Sequence, residues 1–195
     1  MRKLVLSLCD FTGTWSQPYA ERSDEYEVIR LDIQSGGRAG DVRFLKRLSR
    51  PVHGIIAQPP CTHFSGSGAR WWASKGDAAL AEGLQVVDAC VRIVFIHRPQ
   101  WWVLENPVGR LRDYLGPPLL TVQPHWFAGL ADDPSDDQYT KRTCLWGQFN
   151  TNLPRADLPP VLGSKMHLLP PSPDRQNKRS ATPQGFSRAF FQANP

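Results

Sequence analysis

The sequence predicts an α/β fold in which helices cover both faces of a mostly parallel sheet. Two observations favour this fold class. Short runs at 4–8, 53–57 and 101–104 are mostly apolar, which is typical of strands buried on both faces. Residues 77–97 instead repeat apolar side chains at helical spacing. Alternating strands and helices indicate parallel βαβ units, and ligands of such sheets collect at the carboxyl ends of the strands.

The first part of the chain contains three predicted strands, at 4–8, 27–31 and 53–57. A turn and the opening of a short helix separate the first two strands. After Asp32 we expect a glycine-rich loop. A short basic helix is then expected to follow Asp41 and to run through Leu48.

The second part begins with the clearest helix of the chain, 77–97. Its apolar positions lie three or four residues apart, as expected for one buried face: Leu80, Leu84, Val87, Val91 and Val94. A strand at 101–104 and a short helix at 109–115 follow. Two further strands are predicted on either side of an acidic loop, at 121–127 and 143–149.

The C-terminal part is predicted to divide into two segments after a domain at 1–149. Residues 150–183 are rich in proline and basic side chains, so we expect an extended or partly mobile surface segment. Thr182 and Pro183 form a typical helix start. The final segment, 184–195, is predicted to be a helix that packs back on the domain through Phe186 and Phe190.

Length and composition indicate one ordinary globular domain. The chain has 195 residues, 41% of them hydrophobic, and a net charge of +5. This charge is compatible with a nucleic-acid partner and equally with a basic enzyme. The four cysteines are widely spaced, which argues against a disulfide framework or a zinc site. We therefore expect no metal, a cytoplasmic location and no membrane span, because a span needs about 20 consecutive apolar residues.

Three residues near the first two strands have the chemistry of a nucleoside site. Gly13 follows the first strand and allows close approach of the backbone, and Asp32 follows the second strand, where it can accept hydrogen bonds from two ribose hydroxyls. Asp41 is placed to accept from an adenine amino group. The alternative is a tight turn and two solvated carboxylates.

Cys61 is the best candidate nucleophile. It follows the strand at 53–57 and directly succeeds Pro59 and Pro60, which stiffen the backbone in front of it. A rigidly held thiol at the end of a strand is suited to covalent catalysis, provided that a cation or a helix terminus lowers its pKa. The alternative is a buried structural cysteine.

Glu105 ends the strand that follows the long helix. One helix and one strand separate it from Cys61, so the two side chains are expected to line one cleft. A carboxyl group there can exchange a proton or a hydrogen bond with a heterocycle nitrogen. The alternative is an acid at a helix N-terminus near Pro107.

Several short motifs together resemble the C5-cytosine DNA methyltransferases. The order is Phe-x-Gly at 11–13, the strand-end Asp32, Asp41, Pro-Pro-Cys at 59–61 and Glu-Asn-Pro at 105–107. Gln138 to Arg142 partly matches the Gln-x-Arg-x-Arg motif of the family. The resemblance covers about residues 4–149, and Pro-Pro-Cys-Thr-His-Phe-Ser is its most specific part.

The resemblance implies a Rossmann-like methyltransferase fold with S-adenosylmethionine as cofactor. It implies that Cys61 attacks C6 of cytosine, that Glu105 binds the N3 edge and that Arg142 binds O2. The cofactor would be held by a group of residues from the first three strand ends: Phe11, Gly13, Trp15, Asp32, Asp41 and Pro59. Further substrate contacts are expected from Ser65, Asn106, Gln138 and Lys141.

The sequence also departs from the family pattern. Trp15 stands where the family usually has a second glycine, so it either stacks on the cofactor or blocks its site. Thr140 replaces the first arginine of the Gln-x-Arg-x-Arg motif. The family inserts a long target-recognition region after the strand ending at Gly147, and here 48 residues follow that glycine. Low sequence specificity is therefore expected.

The function predicted from the sequence is methyl transfer to C5 of cytosine in DNA. Two alternatives stay open: C5 modification of a pyrimidine nucleotide or RNA, and a non-catalytic nucleic-acid-binding relative. The basic stretch 175–179, with Lys165, Met166 and His167 upstream, either grips phosphates or is a solvated tail. Trp71 and Trp72 either line the substrate cleft or belong to the core, and His63 is expected to be solvated.

Overall fold

The fold is built around one six-stranded sheet. The computed structural model describes the backbone of residues 1–195 and every side chain except those of Met166 and His167. The strands are β1 (Lys3–Leu8), β2 (Tyr26–Leu31), β3 (Gly54–Ala57), β4 (Trp101–Pro107), β5 (Leu120–Val122) and β6 (Thr143–Gln148). Their order is β2-β1-β3-β4-β6-β5. The first four are parallel, and β6 is antiparallel to both β4 and β5.

Helices connect the parallel strands and follow the last strand. They are α1 (Gln17–Glu21), α2 (Ile33–Gly40), α3 (Trp72–His97), α4 (Arg112–Leu115), α5 (Lys165–Leu168), α6 (Arg175–Ser180) and α7 (Gln184–Ala193). Single 3₁₀ segments lie at Val42–Phe44, Gly66–Trp71, Pro124–Trp126, Ala128–Leu130 and Pro134–Asp136. The predicted α/β class and mostly parallel sheet are confirmed.

Burial on both faces explains why the strands are apolar throughout. Leu4, Leu6 and Leu8 of β1 point to the face covered by α3, whereas Val5 points to the opposite face. On that opposite face, Phe186 and Phe190 of α7 pack into the same cluster as Val5. Because both faces are covered, a strand here needs apolar residues at successive positions rather than alternate ones.

Helix α3 shows how one glycine divides a helix. The helix runs from Trp72 to His97, and Gly76 interrupts it with φ +71°. Glycine adopts positive φ without the steric cost that a Cβ imposes. The predicted start at residue 77 therefore matches the segment after the break, and Trp71, just before the helix, lines the same cleft as Cys61.

Three predicted elements were wrong. The segment after Asp32, expected to be a glycine-rich loop, is helix α2, which Gly37 interrupts with φ +52°. The Asp32 side chain accepts a hydrogen bond from the backbone N–H of Gln34 and caps the start of this helix. The expected basic helix through Leu48 is one 3₁₀ turn at Val42–Phe44. The strand expected at 121–127 ends at Val122 because Pro124 starts a 3₁₀ turn.

The C-terminal part returns to the sheet. Short helices α5 and α6 lie within the segment that was expected to be irregular. Helix α7 begins at Gln184, with Pro183 rather than Thr182 at the N-cap position. Tyr19 of α1 donates a hydrogen bond of 2.7 Å to the backbone oxygen of Asn194, which attaches the end of the chain. Within the described residues, no helix has the length and apolar character needed to cross a membrane.

Candidate active site

A cleft of about 1040 Å³ opens at the carboxyl ends of β1 to β4, where ligands of parallel sheets collect. The cleft is lined by eight of the residues to which the sequence assigned a catalytic, cofactor or substrate role: Phe11, Asp32, Pro59, Cys61, Ser65, Glu105, Lys141 and Arg142. Five others lie outside its lining: Gly13, Trp15, Asp41, Asn106 and Gln138. The structure thus brings the proposed thiol, carboxyl group and arginine into one space.

The turn after β1 is organised by Asp10, a residue that the sequence analysis did not single out. Its buried carboxylate accepts hydrogen bonds from Ser7 Oγ at 2.7 Å, Ser16 Oγ at 2.9 Å and the backbone N–H of Gly13 at 2.8 Å. Gly13 has φ +70°, which glycine tolerates best. Gly13 therefore shapes the turn, while Phe11 at its tip lines the cleft and is 41% exposed.

The two candidate ribose and adenine acceptors have different environments. Asp32 lines the cleft, and its Oδ1 accepts from the backbone N–H of Gln34 at 2.7 Å. Burial raises its pKa, and the Gln34 hydrogen bond acts in the opposite direction. Asp41 instead has both oxygens bonded to Arg43, at 2.7 to 3.1 Å, which lowers its pKa. The structure therefore does not bring Asp41 into the cleft.

Trp15 belongs to the core rather than to the cleft. Its side chain is 0% exposed, and its ring packs 5.2 Å from that of Phe186 and 5.4 Å from that of Phe190. The residue points to the sheet face covered by α7. The sequence left two expectations for Trp15, stacking on the cofactor and blocking its site. Both require a side chain at the cleft surface, and Trp15 does not lie there.

The loop carrying Cys61 is held from two sides. Asn106 Nδ2 donates a 2.8 Å hydrogen bond to the carbonyl of Pro59. The carbonyl of Cys61 accepts from the backbone N–H groups of Phe64 and Ser65, at 3.0 and 2.9 Å. Asn106 is fully buried, so it acts on this loop from behind and does not face the cleft.

The charges around Cys61 act in opposite directions on its thiol. Burial raises the pKa of Cys61, and the Glu105 carboxylate raises it further. The cations Lys141 and Arg179 oppose both effects. The thiolate is therefore favoured when Glu105 is protonated and both cations are in place.

Glu105 lies on strand β4, so the alternative of a helix-terminal acid does not apply. Burial raises its pKa, and Lys141 partly offsets this effect. A carboxyl group with a raised pKa can keep its proton and donate it to a hydrogen-bond acceptor. The environment of Glu105 thus suits a contact with a ring nitrogen.

The segment before β6 supplies two cations to the cleft. Lys141 Nζ donates a 2.9 Å hydrogen bond to the carbonyl of Arg179, and the Lys141 backbone N–H donates to Gln123 Oε1 at 2.8 Å. Arg142 is exposed and lines the cleft. Gln138 points elsewhere, because its Nε2 donates to the carbonyl of Pro159 at 3.1 Å.

Residues 172–182, which we call the strap, cross the cleft, a placement that sequence reasoning missed. They carry the basic helix α6, for which the sequence left open a solvated tail. Arg175 and Arg179 line the cleft, whereas Lys178 is exposed. The only sequence signal was the cluster of positive charge, which does not reveal the direction of the chain.

Of the two neighbouring tryptophans, Trp71 lines the cleft and Trp72 packs against another side chain. Trp71 lines the cleft and is 53% exposed. Trp72 is half-buried beneath the Arg110 guanidinium, 4.6 Å from the ring centre. Arg110 Nε also donates a 2.7 Å hydrogen bond to the carbonyl of His63. His63 was expected to be solvated, but its Nδ1 is buried.

Among the described side chains, no group of three His, Cys, Asp or Glu residues is arranged to hold a metal ion.

Comparisons with known proteins relate the chain by fold alone. No family model and no curated protein matches the sequence. A solved structure from E. coli, described as a candidate DNA modification methyltransferase encoded within a prophage, aligns with a TM-score of 0.50 and 16% identity. The alignment covers 79% of this chain and 49% of that one, so this chain spans about half the length of its neighbour.

Proposed function

We propose that this protein transfers a methyl group from S-adenosylmethionine to C5 of cytosine in DNA through a covalent adduct with Cys61. The observation that carries the proposal is the pairing of Cys61 with Glu105. Cys61 follows β3, Glu105 lies near the carboxyl end of the adjacent parallel strand β4, and both residues line the same cleft. A nucleophile beside a carboxyl group with a raised pKa is suited to attack on a ring whose nitrogen is protonated or hydrogen-bonded at the same time.

The cofactor end of the cleft fits S-adenosylmethionine in part. Phe11 offers an exposed ring for stacking, and Asp32 offers its carboxylate to ribose hydroxyls. Pro59 lines the wall between this end and Cys61. Asp41 is left out of the proposal because Arg43 engages both of its oxygens. When bound, S-adenosylmethionine supplies an electrophilic methyl group on a sulfonium.

In the first step the Cys61 thiolate forms a bond to C6 of cytosine, and the electron pair moves toward C5. Glu105 donates its proton or a hydrogen bond to N3, which stabilises the ring as it gains charge. Lys141 favours both the thiolate and the ionised carboxyl group. Arg142 lies on the cleft wall and is proposed to bind the O2 oxygen.

In the second step C5 forms a bond to the methyl group, and the bond between that methyl group and the sulfonium sulfur breaks. A base or water removes the C5 proton, and the electron pair of that bond re-forms the C5–C6 double bond. The C6–S bond breaks, Cys61 is released as a thiolate, and N3 returns to Glu105 any proton that it received in the first step. Ser65, on the cleft wall four residues after Cys61, is proposed to contact the substrate, and the Asn106 contact is assigned to the loop that holds Cys61.

Two further observations support this assignment. The structural neighbour shares the fold, and its description favours DNA among the acceptors. Trp15 lies in the core and does not obstruct the cleft, so it gives no support to a non-catalytic relative.

The proposal is tested by transfer of labelled methyl from S-adenosylmethionine. Duplex DNA, single-stranded DNA, RNA and free cytosine nucleotides are offered to the wild-type protein and to Cys61→Ala. Cys144→Ala is the matched control, because that thiol is buried outside the cleft lining. We expect label on DNA with wild type and Cys144→Ala and none with Cys61→Ala. A folded wild-type protein that labels none of the four acceptors contradicts the proposal.

A further inference from the structure

The strap closes the cleft through hydrogen bonds to three of its walls. Asn177 Nδ2 donates to Gln34 Oε1 at 3.2 Å, beyond the end of β2. Arg179 Nη2 donates to Ser67 Oγ at 3.4 Å, in the loop after Cys61. The carbonyl of Arg179 accepts from Lys141 at 2.9 Å, next to β6. The strap therefore bridges the cleft rather than forming one side of it.

The end of the strap is also attached. The backbone N–H of Thr182 donates to Thr14 Oγ1 at 2.9 Å, and Gln58 Nε2 donates to Thr182 Oγ1 at 2.8 Å. With the strap in place, the volume of about 1040 Å³ is that of a site for small molecules. It suits a cofactor and one nucleotide, whereas a double helix does not fit beneath the strap.

Positive charge dominates the outer part of the cleft lining. Five cations contribute to the lining: Arg70, Lys141, Arg142, Arg175 and Arg179. Arg175 and Arg179 are each only partly buried where they line the cleft. Arginine is well suited to phosphate because its donors match the geometry of phosphate oxygens.

Trp71 places an aromatic surface next to this positive charge. Its side chain is 53% exposed although it lines the cleft, and the Arg70 guanidinium lies 5.1 Å from its ring centre. An exposed aromatic ring beside basic side chains is the usual combination for binding an unpaired base and its backbone.

We infer that the protein acts on single-stranded DNA, with one target base beneath the strap, a neighbouring base on Trp71 and phosphates on Arg175 and Arg179. This inference rests on the proposed function and specifies its substrate. A base in a duplex must be unpaired and unstacked before it can reach Cys61, whereas a base in a single strand is free of that cost. Stacking on Trp71 and binding to arginines require no particular base sequence.

The test measures binding by fluorescence anisotropy and so does not depend on methyl transfer. The probes are a labelled cytosine-containing strand of about 12 nucleotides, its duplex and an RNA of the same sequence. The variants are Trp71→Ala, Arg175→Ala and Arg179→Ala. Matched controls are Phe95→Ala, an aromatic 73% exposed on α3, and Lys178→Ala, an exposed cation on the same helix as Arg179. Thermal unfolding of each variant verifies that it folds.

We expect the single strand to bind at least about tenfold more tightly than the duplex and at least as tightly as the RNA. Trp71→Ala should weaken binding about tenfold, and each arginine variant should weaken it and lower its salt dependence. The two controls should stay within about twofold of wild type. Equal binding of duplex, tighter binding of RNA, or equal effects of Arg179→Ala and Lys178→Ala would overturn the inference. Methyl transfer confined to duplex DNA would overturn it while leaving the proposed function intact.

Discussion

Asn106 donates a 2.8 Å hydrogen bond to the carbonyl of Pro59, which connects the residue after Glu105 to the residue two positions before Cys61. The side chain is fully buried, and its Oδ1 has no partner among the described residues. One donor thus sets the spacing between the two strand ends that carry the proposed chemistry. Its role is to position Cys61 rather than to contact substrate.

Replacing Asn106 should therefore impair catalysis more than folding. Asn106→Ala leaves the Pro59 carbonyl without its donor, at a cost of about 1 kcal/mol in unfolding free energy. A displacement of the thiol by about 1 Å lowers the rate about 100-fold. Methyl transfer and urea unfolding are measured together. The exposed Asn152→Ala is the control and should match wild type in both measurements.

Glu105 should make stability depend on pH with a defined sign. Burial holds its pKa above the ordinary value of 4.5, so the folded state binds this proton more tightly than the unfolded state. Stability is then lost as the pH rises from the unfolded pKa through the folded pKa. Glu105→Gln removes this loss. Its melting temperature minus that of wild type should increase between about pH 4 and about pH 8.

Glu82→Gln is the matched control for this pH series, because Glu82 is exposed on α3. The melting temperature of Glu82→Gln minus that of wild type should stay constant over the same pH range. A flat difference for Glu105→Gln would show that the carboxyl group is solvated rather than buried. The same variant should lower methyl transfer by about 100-fold or more, since it cannot supply a proton.

Comparing Trp15 with Trp71 tests the position assigned to Trp15, which is the core rather than the cleft. Trp15→Ala removes a fully buried ring from the contacts with Phe186 and Phe190, which should cost about 3 to 5 kcal/mol in unfolding free energy. Trp71→Ala removes an exposed ring of the same kind and should cost less than about 0.5 kcal/mol. Urea denaturation of both proteins gives the comparison. Equal stability of the two variants would contradict the assigned position of Trp15.

Gly109 allows the loop after Cys61 to approach the end of β4. A Cβ on this residue would lie 1.9 Å from the backbone oxygen of Phe64, which cannot move aside as a side chain can. Gly109→Ala should therefore displace the loop, destabilise the protein by about 1 to 3 kcal/mol and reduce methyl transfer. At Gly68 a Cβ meets nothing within 4 Å, so Gly68→Ala should retain stability and activity. Thermal unfolding and methyl transfer of the two variants provide the check.

Sequence reasoning placed Cys61 and Glu105 in one cleft because strand ends can be identified from short patterns. The parallel strands β3 and β4 were predicted from their apolar runs, Cys61 follows β3, and Glu105 lies near the carboxyl end of β4. Parallel strands end at the same edge of a sheet, so chemistry at two strand ends predicts one cleft. This reasoning needs no long-range contact to be known.

The same reasoning failed where a side chain has a hydrogen-bond partner outside the cleft. Asp41 is bonded to Arg43 two residues away, and Gln138 is bonded to the carbonyl of Pro159. Either residue type also suits a ligand, and spacing along the chain does not distinguish the two uses. The helix cap formed by Asp32 was missed for a related reason, since the glycines of α2 indicate a loop.

The sequence by itself determined the α/β class, the buried strands and the residues at their ends, because burial on both faces requires apolar runs and chemistry requires particular side chains. Only the tertiary structure decided that Trp15 is core, that Asn106 supports the Cys61 loop and that the strap crosses the cleft. These features depend on contacts between residues far apart in the chain. Thr182 and Thr14, 168 residues apart, are bonded only in the folded protein, and local sequence patterns do not record such a pairing.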